Sequence, residues 1–345
     1  MKVRNLHAAI RNFILLGPSI LSLLCFPLDS RSQGLEERVF RQSRMIMGTS
    51  VEITVSQTDS PQAKEAMAAA FREVERIDLL MSHYREGSEV SQITRNAGER
   101  ETRVSPETLE VIERALYFSR ISEGAFDITI GPVFRLWNFR EGKIAERRSL
   151  QESLRKVDYR KVKLDRAKSS VFLESRGMEI DLGAIAKGYA VDLAAAVLWK
   201  ESVGNFMVNA GGDLTVNGSK AKGVPWTIGI RHPRLPSELI AKLRPSPAAV
   251  ATSGDYEKFF LQGGERYHHI LTPSTGLPAR ECQSVTIMAP SAMDADALAT
   301  SVFVMGPKKG FALLEQLPNV HAIIVDRRGS LLLSPRWPTG VLFPP

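Results

Sequence analysis

Asp181-Leu182-Gly183-Ala184-Ile185-Ala186-Lys187-Gly188-Tyr189-Ala190-Val191-Asp192 is the stretch from which the rest of the chain is read. It opens with a carboxylate and a glycine, presents one lysine, and runs into the alanine-rich segment Leu193 to Trp199. That order predicts a tight turn leading into a helix. Asp181 can accept hydrogen bonds from free backbone N–H groups near the helix start. Gly183, lacking a Cβ, lets a ligand or another backbone come close. Lys187 puts a positive charge near the helix N-terminus, where an anion is also welcome. The same residues read equally as a glycine-punctuated turn with a solvated lysine. A Walker phosphate loop is excluded, because no Ser or Thr follows the lysine and the glycine spacing is wrong.

Outward from that stretch, helices and strands mix without steady alternation. Met45 to Ser56 alternates in part (Val51, Ile53 and Val55 against Glu52, Thr54 and Ser56) and predicts a half-buried strand. Pro61 starts a helical pattern ending near Met81, followed by Tyr84 at a loop. Ser88 to Gly98 reads as a polar turn region. Ser105-Pro106-Glu107 opens a second helix that stops at Gly124, with the short segment Ala125 to Ile130 after it. Trp137 and Phe139 suit either a core or the side of a flat ligand. Glu141 to Ser149 is a charged insertion, and Arg231 to Pro247, with four prolines, a loop-rich excursion. Strands are predicted at 162–164, 171–173, 206–209, 226–230, 249–252, 258–261 and 284–289. A helix follows over Met293 to Met305, ended at Gly306-Pro307. Ile323 to Val325 and Leu331 to Leu333 make a terminal hairpin. The expected class is α+β: largely antiparallel sheets with flanking helices, in one compact domain.

The 345 residues are 43% apolar and 24% charged, an ordinary globular composition that permits a sizeable core. Net charge is +7, but acidic residues are interspersed and no basic run carries interleaved aromatics. A nucleic-acid groove is therefore disfavoured, and the charge weakly favours an anionic substrate. Lys2, Arg4 and Arg11 precede an apolar run from Phe13 to Phe26, too short for a comfortable membrane span and suited to a secretory signal. Cys25 also allows lipidation, although Leu24 stands where a small residue is usual, and an uncleaved anchor is a third option. Each option exports the remainder. The expected organisation is a leader over 1–32, a linker over 33–44 and a catalytic domain over 45–340. The two cysteines, Cys25 and Cys282, exclude a disulfide framework and a cysteine-rich metal site.

Asp296 and Thr300 lie four apart in the predicted helix over Met293 to Met305, so they share a face. A carboxylate and a hydroxyl so placed suit a hard cation such as Mg2+, which also takes waters and substrate phosphate. They equally suit a helix N-terminal acid and a hydroxyl bonded one turn back. Asp294 points elsewhere. His268 and His269 are adjacent and face opposite ways if extended. His269 could act as a general base, its ordinary pKa lying in a useful range, or simply pack.

Seven blocks stand in a fixed order: Met47-Gly48-Thr49, Gly124 to Thr129, Asp181 to Asp192, Asn209 to Leu214, Ala251 to Glu257, His269-Ile270-Leu271-Thr272-Pro273 with Thr275-Gly276, and Ala295 to Thr300. Together they resemble the ApbE family of FAD:protein FMN transferases. The resemblance implies an α+β fold and FAD as substrate, with Mg2+ held by Asp296, Thr300 and the Ala184 carbonyl. It implies FAD contacts at Met47, Tyr84, Ala125, Phe126, Asp127, Asp181, Lys187 and Ile270. Catalytic roles are implied for His269 as base or ligand contact and for Lys187 as charge stabiliser. The reaction implied is attack by a Ser/Thr hydroxyl of an acceptor flavoprotein on the FMN-side phosphorus, with AMP leaving. Acceptors of the family resemble membrane electron-transfer subunits, which fits an exported, periplasmic enzyme, anchored or not at the inner membrane. Water attacking instead would make the same site an FAD pyrophosphatase, and no attack would leave an exported flavin-binding protein. The family usually carries Asp before the proline where this chain has Thr272, which predicts a modest change in that loop.

Overall fold

The computed structural model describes residues 38–245, 247–335, 337 and 341–342. The leader, with Cys25 and its processing, lies outside the described residues.

The chain begins with an antiparallel hairpin, β1 (Arg38–Ile46) and β2 (Thr49–Gln57). Helix α1 (Ser60–Met81) follows, then α2 (Glu89–Arg95), β3 (Thr102–Arg103), α3 (Pro106–Ile121), α4 (Gly131–Phe134) and α5 (Arg147–Leu154). Strands β4 (Val162–Asp165) and β5 (Ser170–Leu173) precede α6 (Ala186–Lys200). Seven strands come next: β6 (Phe206–Ala210), β7 (Asp213–Asn217), β8 (Ile228–Arg231), β9 (Leu239–Leu243), β10 (Ala248–Gly254), β11 (Phe259–Gln262) and β12 (Glu265–His268). The chain closes with β13 (Cys282–Ala289), α7 (Ala292–Leu314), β14 (His321–Asp326), β15 (Leu331–Leu333) and β16 (Val341–Leu342).

Eight strands form the central sheet in the order β1-β2-β6-β7-β10-β13-β14-β15, with every neighbouring pair antiparallel. Alternation along its strands sorts side chains onto two cores. On β10, Ala249 and Ala251 face the main core while Val250 faces a second; on β14, Ala322 and Ile324 oppose Ile323 in the same way. The main core is covered by α1, α6 and α7. The second is covered by the three-stranded sheet β16-β9-β8, which brings Trp226, Ile228 and Ala241 against Leu214 and Val216. Each such apolar side chain contributes roughly 1.5–3 kcal/mol by leaving water, so a one-residue slip that exchanged the faces would be costly.

Helix α1 is amphipathic, with Ala63, Ala66, Met67, Ala70, Phe71, Val74 and Ile77 buried. Its N-cap is Asp59, which accepts from Gln62 N at 3.2 Å, and Pro61 occupies the first turn. Helix α6 is different. Alanine and glycine on several sides let α1 and α7 both pack against it closely: Ala186, Gly188, Ala190, Ala194 and Ala195 are all buried.

Several expectations are corrected. Residues 38–44, read as linker, form most of β1, a largely exposed edge strand. The single strand expected over Met45 to Ser56 is broken by a turn at Met47-Gly48. Ser88 is not part of a turn region but caps α2, accepting from Ser91 N at 3.0 Å. The proline-rich excursion contains β9, and part of the charged insertion belongs to α5. Gly306 (φ 77°) does break α7 as expected, yet a second helical piece continues to Leu314. Trp137 stacks on Phe139 in a small separate core with Val133, Leu150 and Leu271.

Candidate active site

One cleft of about 660 Å³ gathers the functional candidates. It lies where eight parts of the chain converge. Met47 comes from the β1–β2 turn, His83 and Tyr84 from the exit of α1, and Ala125, Phe126 and Asp127 from the loop after α3. Asp181, Ala184 and Lys187 come from the approach to α6 and its first turn, and Asp213 from the start of β7. Ser253 lies on β10, His269 and Ile270 follow β12, and Asp296 and Thr300 lie on α7. Every residue predicted as a flavin contact, catalytic group or metal ligand lines this cleft.

The turn at Met47 is strained. Met47 and Gly48 both have positive φ (55° and 70°), the pattern of a two-residue hairpin loop that favours Asn-Gly. A methionine there bears a backbone cost of about 1 kcal/mol, the sort of strain that collects at functional positions.

The loop after α3 is built by Asp127. Gly124 N closes the helix on Ser119 O at 2.8 Å. Asp127 Oδ1 accepts from Thr129 N (2.8 Å) and Thr129 Oγ1 (2.6 Å), and Oδ2 accepts from Tyr159 N (3.0 Å). Its oxygens are thus engaged by the protein's own chain. Asp127 thereby shapes the loop that carries Ala125 and Phe126. Burial nevertheless raises its carboxyl above the ordinary range.

Asp181 does not cap α6. Its Oδ1 accepts from Gly183 N at 2.8 Å, ahead of the helix, and lies 3.2 Å from His83 Nδ1. Burial works against this carboxylate, but the His83 contact and the Gly183 N–H hold it below its ordinary value. The close backbone approach expected at Gly183 occurs at Gly188 instead. A Cβ there would stand 2.1 Å from Ala292 O, so α6 and α7 cross at this glycine. Four residues on, the Asp192 carboxylate accepts from Ala292 N (2.8 Å) and Met293 N (2.9 Å) and so caps α7. The stretch from Asp181 to Asp192 therefore fixes the helix that carries Asp296.

The most charged part of the cleft is a triad. Lys187 Nζ lies 2.6 Å from Asp213 Oδ2, 3.0 Å from Asp296 Oδ2 and 3.2 Å from Asp296 Oδ1, and it donates to Gly183 O at 3.1 Å. Burial opposes the lysine's charge, but the two carboxylates outweigh it and raise its pKa. Burial, reinforced by Asp296, raises Asp213 above its ordinary value, and the lysine opposes that rise. Thr300 Oγ1 shares a hydrogen bond with Ser253 Oγ at 3.1 Å. Asp294 points away and pairs with Arg114 (2.6 and 2.8 Å).

The two histidines do face different ways. His268 is buried and structural: its Nε2 donates to Ala279 O (2.8 Å) and its Nδ1 accepts from Ile270 N (3.3 Å). His269 lines the cleft, with a buried Nδ1 that has no hydrogen-bond partner among the described residues. Burial, helped by the charges of Lys258, His268 and Lys187, pushes its pKa down to about 3 rather than leaving it in the ordinary range. In this state it is a neutral imidazole. Around Thr272 the loop is closed by backbone, Thr272 N donating to Leu277 O (2.8 Å) and Gly276 N to Thr272 O (2.7 Å).

The profile of the ApbE family matches residues 47–324, most of the chain. The chain belongs to the ApbE family. Similar ApbE-type proteins include an FAD:protein FMN transferase of Treponema pallidum, 34% identical over 89% of this chain and 91% of its own length. Another, of Klebsiella pneumoniae, is 34% identical over 87% of this chain and 93% of its own length. Among solved structures, an ApbE protein of Thermotoga maritima superposes with a TM-score of 0.79 at 36% identity, covering 86% of this chain and 97% of that one. The flavin transferase ApbE of Vibrio cholerae gives 0.77 at 30% identity, covering 86% and 96%. The α+β architecture is the ApbE fold.

Asp213 and His83 are cleft residues to which the sequence assigns no role. Asp213 stood inside a quoted block with no role, and the double glycine before it was its only signal. His83 sat beside Tyr84 with none. Among the described residues, no three His, Cys, Asp or Glu side chains gather as at a metal centre. The donor chemistry still fits a magnesium ion. Asp296, Thr300 and the Ala184 carbonyl offer hard oxygens on one cleft, and an ammonium already rests among such oxygens.

Proposed function

We propose that this protein transfers FMN from FAD to a Ser/Thr hydroxyl of an exported acceptor flavoprotein, in a magnesium-dependent reaction. The protein is an enzyme of the FAD:protein FMN transferase type. One observation carries the reading: family blocks spread from Met47 to Thr300 converge on a single cleft of about 660 Å³, within the range of small-molecule sites. The acceptor oxygen forms a bond to the FMN-side phosphorus, the bond to the AMP-side bridging oxygen breaks, and AMP leaves with the electron pair.

Met47, Tyr84, Phe126 and Ile270 supply apolar and aromatic surface for FAD, and Ala125 gives room beside them. Asp181, held by His83 and Gly183, presents its second oxygen to a sugar or adenine donor. Lys187 adds positive charge where phosphate charge grows. His269, which lines the cleft, takes the acceptor's proton; the negative diphosphate raises its proton affinity when FAD binds. A magnesium ion held by Asp296, Thr300 and the Ala184 carbonyl would polarise the phosphoryl oxygens and steady the leaving group. The leader-like sequence before residue 33 supports an exported, periplasmic enzyme, and among the described residues no helix is long and apolar enough to cross a membrane.

The test is AMP stoichiometry. The full chain is incubated with FAD and MgCl2, with and without a flavoprotein bearing a Ser/Thr flavinylation motif, and nucleotides are separated chromatographically. AMP without matching free FMN, formed only when acceptor is present, supports the transferase. Equal AMP and FMN in the absence of acceptor would make it a pyrophosphatase, and intact FAD under both conditions would remove both readings.

A further inference from the structure

Lys187 holds an unusual position for a residue whose charge is to serve a phosphate. The side chain lines the cleft, and its ammonium is held by the protein's own oxygens. It rests on four oxygens: both of Asp296 (3.0 and 3.2 Å), one of Asp213 (2.6 Å) and the Gly183 carbonyl (3.1 Å). Asp213 and Asp296 are almost fully buried, at 4% and 5% side-chain exposure, so water screens their charges little. The geometry is a cage of hard oxygens around a monovalent cation, next to Thr300.

From this cage we infer that Lys187 is the resident cation of the metal site: its ammonium competes with magnesium for Asp296, and Asp213 retains the ammonium when Asp296 is surrendered. The inference rests on the proposed magnesium reading of Asp296 and deepens it. A divalent ion at contact distance from the Asp296 carboxylate repels an ammonium held on the same two oxygens. Lys187 must therefore move off Asp296 when the divalent ion arrives. Asp213 is placed to catch it, because its oxygen is already the nearest of the four. The consequence is ordered use of one charge. Before the metal binds, Lys187 keeps two buried carboxylates from repelling each other. Afterwards it remains beside the metal, anchored on one side only, free to meet the diphosphate.

Calorimetric titration of the FAD-free full chain with MgCl2 alone tests this. Lys187→Gln keeps hydrogen-bond donors but removes the competing charge, and is expected to tighten magnesium binding at least tenfold. Lys258→Gln removes a positive charge from the same cleft at a residue with no contact to Asp296, and is expected to change affinity less than threefold. Equal gains in both variants, or no gain in Lys187→Gln, would overturn the inference while leaving the metal site standing. Magnesium binding unaffected by Asp296→Asn, or absent from the wild-type chain, would remove the metal reading and the inference with it. Should Lys187→Gln not fold, Lys187→Arg serves: its planar, bulkier head cannot leave the cage as readily, and magnesium affinity should fall severalfold. Unchanged affinity there would overturn the inference.

Discussion

The carboxylate of Asp192, on α6, accepts a hydrogen bond from the backbone N–H of Ala292 at 2.8 Å, and thereby ties the first turn of α7 to the stretch that carries Lys187. A second bond from Met293 N at 2.9 Å completes the cap. Asp192→Ala leaves both part-buried donors without this partner. The expected loss is about 1–2 kcal/mol of unfolding free energy, read from urea denaturation. Because Asp296 lies on that first part of α7, the variant should also bind magnesium more weakly; unchanged affinity would separate the cap from the site.

Gly188→Ala tests the helix crossing. Its Cβ would meet Ala292 O at 2.1 Å and Met293 Cα at 2.7 Å, backbone atoms that cannot rotate away. The expected destabilisation is roughly 3 kcal/mol. By contrast Gly183→Ala, where the nearest atom is Asp181 Oδ1 at 3.0 Å, should be well tolerated in thermal melts.

Met47 sets stability against binding. Asn accepts positive φ readily, so Met47→Asn should stabilise the hairpin by up to about 1 kcal/mol. It also removes apolar surface from the cleft, so flavin fluorescence should report weaker FAD binding. A variant that gained neither stability nor lost affinity would show that the methionine is placed there for neither reason.

His268 supplies a pH dependence. Burial pushes its pKa down to about 4. The unfolded histidine titrates near 6.5, so between these values the unfolded chain binds more protons than the folded one. Stability present above pH 6.5 is therefore lost as pH falls toward 4, by an amount on the order of 3 kcal/mol from this residue. In the folded chain Nδ1 accepts from Ile270 N, a bond that protonation at that atom would break. Urea melts from pH 7 to pH 4 should show a shallower decline in His268→Gln than in the wild type.

How much of this was visible in the residues follows from what each signal depends on. The helix after Asp181, the cap at Ser105 and the break at Gly306 are local, written within a few neighbouring positions. Strand β1 was missed because it is an exposed edge, and its side chains need not alternate. Helix α2 was missed because it is a single short element with only Val90 and Ile93 buried. The cleft was legible only through the resemblance, since no local rule brings Met47, Asp181 and Thr300 together. Asp213 marks the limit: its importance comes from lying 2.6 Å from Lys187 Nζ across elements, and the residues around it in the chain say nothing of that. His269 was read at an ordinary pKa because burial and neighbouring charges are tertiary facts.

The central claim is most directly tested by the intact mass of the acceptor. A purified flavoprotein carrying a Ser/Thr flavinylation motif is incubated with the full chain, FAD and MgCl2, then weighed. The expected result is a gain equal to one phosphoester-linked FMN, abolished by EDTA and by Asp296→Ala. An acceptor of unchanged mass, with FAD converted to free FMN and AMP, would contradict it.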